Sequence, residues 1–67
     1  MSALIEMGEV LRSVPGPDAP VAVVAAWYER KADLFEHVAV EGGPDADGAA
    51  VLAEQAHRHA AELLAVA

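Results

Sequence analysis

The residues able to do chemistry gather in two places, the middle of the chain and its last third. Glu54 and His57 stand three apart in a helix-forming stretch. A Glu and a His at that spacing, joined by a carboxylate from another helix, make the metal sites of ferritin-like bundles. Glu29, Asp33 and Glu36 are the candidates for that further carboxylate. A bundle-core metal site needs ligands that point inward. Glu54 and His57 lie off the apolar face of their own helix, so the expectation is that both face solvent. A ferritin-like metal-binding fragment using Glu54 and His57 therefore stands as an alternative, and no cofactor is expected.

His57, Arg58 and His59 are consecutive. Residues two apart on a helix point in different directions, so the two histidines do not chelate together. His59 falls beside Leu52 and Leu63 at one margin of the apolar face, and His57 falls at the other margin. Boundary histidines of this kind lay their rings on the core, with a pH-sensing role as the alternative. His37, near the end of its helix, is expected to complement the helix dipole.

Enzyme chemistry finds little support. The serines are Ser2 and Ser13, with no base at a workable spacing, and cysteine, threonine and asparagine are absent. Gly42-Gly43-Pro44 lacks the Lys-Ser or Lys-Thr of a phosphate-binding loop. Four Lys and Arg stand against eleven Asp and Glu, for a net charge of −7. That balance argues against nucleic-acid backbones, which need a basic surface, and against anionic membranes. The N-terminal stretch has no basic segment and no signal-like apolar run, so a cytoplasmic protein is expected.

These residues must be held by few elements. Sixty-seven residues make one small domain, which buries only about 60% of the surface its unfolded chain exposes. Apolar residues are 55% of the chain, but sixteen of them are alanine. Two breaker clusters, Pro15-Gly16-Pro17-Asp18-Ala19-Pro20 and Gly42-Gly43-Pro44-Asp45, divide the chain into three stretches rich in helix formers. The spacing predicts helices over about 2–13, 19–41 and 46–66: an all-α, small three-helix bundle. The second and third helices form an antiparallel hairpin, and the short N-terminal helix lies across the pair.

Ser2 is the expected N-cap of the first helix, and Leu4, Met7, Leu11 and Val14, widened by Ala3 and Val10, its inward stripe. In the second helix, Val21, Val24, Ala25, Tyr28, Ala32, Phe35 and Ala39 share one face. Val23, Trp27, Leu34 and Val38 form a second stripe, interrupted by Lys31. Together the two stripes span roughly 200°, against a usual apolar arc a little over 100°. The third helix turns Ala49, Leu52, Ala53, Ala56, Ala60, Leu63, Leu64 and Ala67 inward. The expected core is Leu4, Met7, Leu11, Val24, Tyr28, Phe35, Leu52, Ala56, Ala60 and Leu63.

The first helix, roughly 18 Å long at 1.5 Å per residue, is too short to cover a second stripe of roughly 23 Å. Exposed contiguous apolar surface marks interaction sites, and Trp is a favoured interface anchor. The sequence thus reads as a non-enzymatic protein–protein interaction module. It would be an acidic regulatory adaptor or assembly subunit that binds a protein partner or itself, as a homodimer, through Val23, Trp27, Lys31, Leu34 and Val38. An acidic mimic or antitoxin that fills a basic nucleic-acid-binding cleft is a further alternative. On this reading Leu34→Glu leaves a folded monomer and Phe35→Glu unfolds the domain.

Overall fold

The computed structural model describes residues 3–66. It contains three helices, α1 (Ala3–Arg12), α2 (Val21–Glu41) and α3 (Ala46–Ala65), with no strand among the described residues. None of the three is long and apolar enough to cross a membrane. The expected N-cap Ser2 and the inward Ala67 lie outside the described residues.

Helix limits follow the breaker clusters. Pro20 is the N-cap of α2 (φ −58°, ψ 149°) rather than a first-turn residue. A residue before proline is pushed out of the helical region, so Ala19 cannot join the helix. The Pro20 carbonyl instead accepts from the amides of Val23 and Val24 at 3.0 and 3.2 Å. At the other end Gly42 (φ 79°) and Gly43 (φ 96°) take left-handed conformations that glycine adopts without strain. Asp45 then starts α3, its carbonyl accepting from Ala49 at 2.9 Å.

α2 and α3 form the expected antiparallel hairpin, closed by a seam of alanines. Ala25 and Ala32 of α2 are buried, as are Ala49, Ala53, Ala56 and Ala60 of α3. Ala32 has no exposed surface at all. Small side chains bring two helices close and give dense contact, with little apolar area removed per residue.

α1 is placed differently from the expectation. It packs on α2 alone, and no Cα of α1 comes within 8 Å of one in α3. Around α2 the two contacts are nearly opposite. Ala25, Ala32 and Ala39 face α3, whereas Trp27, Leu34 and Glu41 are turned by about half a revolution, at 100° per residue. The three helices therefore lie abreast, in a slab of 37 × 22 × 15 Å.

The face that α1 turns to α2 also differs. Val10 is its buried residue, at 3% exposure, whereas Leu4 and Leu11 are 79% and 65% exposed. Val14 is half-exposed, and Met7 keeps about a third of its surface open. The cause is a tertiary hydrogen bond. The Trp27 indole N–H donates to the Val10 carbonyl at 2.9 Å, and the same carbonyl accepts from the Ser13 amide and hydroxyl. The last turn of a helix has carbonyls without intrahelical partners. Here an indole from the neighbouring helix joins the two Ser13 donors on such a carbonyl and ties the turn of α1 to α2.

That placement corrects the expected interface. Leu34 is 3% exposed, closed in between α2 and α1, and Trp27 is half-buried and held by α1. Neither is a free anchor. Of the five residues, Val23 is half-exposed beyond the reach of α1, while Lys31 and Val38 are half-buried on one open face of the slab.

Candidate functional site

The two faces of the slab differ sharply. One is apolar. At spacings of four and three, α2 presents Val24, Tyr28, Lys31, Phe35 and Val38, all half-buried. Met7 from α1 and Leu52 from α3 meet Phe35 and Val38 in one shallow groove. Leu4 and Leu11 share the flank of α1 that carries Met7. Lys31 lies along this face with its ammonium 5.5 to 6.0 Å from the ring centres of Trp27, Tyr28 and Phe35. Those distances are at the limit of cation–π attraction. His59 packs edge-on against Tyr28, with ring centres 4.4 Å apart, so its ring rests on the aromatic margin.

The other face is ionic. Glu29, Asp33 and Glu36 recur there along α2 at spacings of four and three. His57 of α3 stands among them. Its Nδ1 is 3.0 and 3.2 Å from the two Glu29 carboxylate oxygens, and its Nε2 is hydrogen-bonded to Glu36. Glu54 is not part of the group: its carboxylate takes Arg58 at 2.8 Å, one turn further along α3. The Glu54–His57 pairing is thus replaced by a pairing of His57 with α2. Towards α1, His37 Nδ1 meets the Glu6 carboxylate at 2.5 Å, so its partner is a side chain of α1 rather than a helix terminus. Glu9, Arg30, Asp33 and Glu41 line the same hollow, and Arg30 donates to the Ser13 hydroxyl.

Both histidines are held above the ordinary imidazole value of 6.5. For His57 the leading cause is the hydrogen bond to Glu36, followed by that to Glu29. For His37 it is the hydrogen bond to Glu6 and then the charge of Glu6, with Asp33 and Glu36 adding to it. Each charged imidazole is therefore bound more tightly in the folded state. The stability this supplies is complete below pH 6.5 and is lost as pH rises through the raised folded values. Thermal melts in chelator-treated buffer should accordingly fall from about pH 6 to about pH 8. The slope should be shallower in His57→Ala and in His37→Ala. A melting temperature that climbs across this range in the wild type would contradict these pairings.

Comparison of the chain with family models, curated proteins and solved structures gave no match.

Proposed function

We propose that the chain is a non-enzymatic, cytosolic protein–protein interaction module that self-associates through the apolar face centred on α2. The observation that carries this reading is the side-by-side arrangement of the helices. Domains are ordinarily built of at least two packed layers around one core. Here α1 and α3 sit on opposite flanks of α2, and Met7, Phe35, Val38 and Leu52 have no layer above them. A second copy supplies that layer.

Size and charge favour this occupant. A slab face of 37 × 22 Å is about 800 Å², close to what each partner gives to a standard interface. The carboxylates of Glu6, Glu9, Glu29, Asp33, Glu36 and Glu41 lie on the ionic face, so pairing apolar face to apolar face points two chains of net charge −7 outward. A core so rich in alanine gains most from added apolar area. At this chain length burial barely exceeds chain entropy, and oligomerisation is a common remedy.

Light scattering on the eluted protein should give twice the 6.9 kDa chain mass at about 100 µM. Leu52→Glu, placed at the groove on a half-exposed position, should give a helical monomer. A wild type that is monomeric at this concentration would overturn the reading.

A further inference from the structure

The ionic face offers a site of its own, independent of self-association. One ligand atom each from Asp33, Glu36 and His57 can be chosen so that all three lie within 4.8 Å of one another. The α2 residues occupy successive turns, and His57 approaches from α3 across the alanine seam. Ala32 and Ala56, buried next in sequence to Asp33 and His57, fix both backbones.

The hydrogen bonding of His57 is the telling feature. A carboxylate can only accept, so both ring nitrogens are donors only when the ring is doubly protonated. In the neutral ring one of the two faces its carboxylate with a lone pair, and the tautomer with the proton towards Glu29 turns the Nε2 lone pair to Glu36. Lone pair against carboxylate is repulsive. Two arrangements relieve it: a second proton on the ring, or a cation between Nε2 and Glu36. Histidines that bind metal characteristically donate their other ring N–H to a carboxylate, which sets the tautomer and orients the ring. Glu29 stands where that second carboxylate belongs.

Charge points the same way. Among the described residues, no Lys or Arg pairs with Glu29, Asp33 or Glu36. Arg30 is engaged with Ser13 and Arg58 with Glu54. Among Glu29, Asp33 and Glu36, the direct hydrogen-bond partner with a positive charge to offer is His57, with His37 acting on Asp33 and Glu36 from further off.

We propose that Asp33, Glu36 and His57 bind a divalent transition-metal ion of the zinc class, His57 through Nε2, with Glu29 holding Nδ1–H. Bonds of 2.0–2.2 Å to a tetrahedral ion place ligand atoms about 3.4 Å apart. The exposed side chains of Asp33 and Glu36 close the remaining distance by rotation, and water completes the coordination. An imidazole ligand selects zinc, cobalt, iron or nickel over magnesium and calcium, which prefer oxygen alone. The proton and the metal compete for Nε2. Around His57 that competition is governed by Glu29 and Glu36 from α2, with Asp33 beside them, while Glu54 and Arg58 on its own helix neutralise each other.

Co(II) serves as the probe, because its visible absorption reports coordination, with Zn(II) as the competitor. Chelator-treated wild type should develop Co(II) bands that Zn(II) abolishes, and saturating Zn(II) should raise the melting temperature by on the order of 10 °C. His57→Ala and the near-isosteric Glu36→Gln should bind Co(II) at least tenfold more weakly while keeping their helical circular dichroism. His59→Ala and Glu54→Gln should bind like wild type. Affinity should rise with pH as the competing proton leaves His57. Absence of Co(II) bands in the wild type would overturn the site. So would bands that persist in His57→Ala, or that weaken equally in His59→Ala or Glu54→Gln.

Discussion

Leu34→Glu is expected to leave the chain unfolded at room temperature. Leu34 is 3% exposed where α1 closes over α2, opposite the buried Val10. Removing it forfeits about 2–3 kcal/mol of burial. A carboxylate in the same place, taken from water without a dedicated partner, costs several kcal/mol more. A chain of this length has roughly 3–10 kcal/mol of total stability, so the two losses exhaust it. Phe35→Glu is expected to behave differently. Phe35 is half-buried on the open apolar face, so its replacement should give a folded, somewhat less stable monomer. Far-UV circular dichroism with a urea titration separates the two. The order is the reverse of the one expected from periodicity alone, and a Leu34→Glu protein that melts like wild type would refute the placement of α1.

The other large effect is expected in the alanine seam. Ala32 has no exposed surface, and Ala53 and Ala56 are buried on the facing helix. Ala32→Leu adds three carbons where two helices are in close contact. Overpacking of this kind costs typically 1–3 kcal/mol, occasionally more. Here it separates the helices along the seam and loosens most of the hydrophobic core at once. Ala61→Leu, at an exposed position on the outer side of α3, should stay within about 0.5 kcal/mol of wild type. Urea denaturation of the pair is the measurement. Equal midpoints would mean that α2 and α3 do not pack through alanine.

The helices themselves were legible in the sequence, because proline and glycine act locally. Pro20 and Gly42 limit α2 through their own backbone geometry, and the turn at 42–45 leaves α2 and α3 little choice but an antiparallel hairpin. The wide apolar arc of α2 was legible too. It is wide because it runs from the α3 contact across the open face to the α1 contact. The rotation of α1 was not legible. Leu4, Met7, Leu11 and Val14 outweigh Val10 in apolar area, so area alone turns the wrong flank inward. What decides is the bond from Trp27 to the Val10 carbonyl, which leaves no periodic trace. The ionic cluster was half legible. Glu29, Asp33 and Glu36 were visible as possible partners of His57. Glu54, expected to face solvent, does so beside Arg58, whereas His57 is set against the carboxylates of α2. The register that sets His57 against α2 comes from the interhelical turn and the alanine contacts.

α1 is joined to the rest through eight residues, 13–20, and its backbone packs closely on α2 alone. A helix of ten residues does not persist by itself in water, so α1 melts when it lifts away. The alanine seam lies wholly between α2 and α3, so α1 is the element held least. Release of α1 bares Leu34 and frees the indole of Trp27. The same segment can then land on the α2 of a neighbouring copy with every native contact remade, the geometry by which identical chains exchange segments.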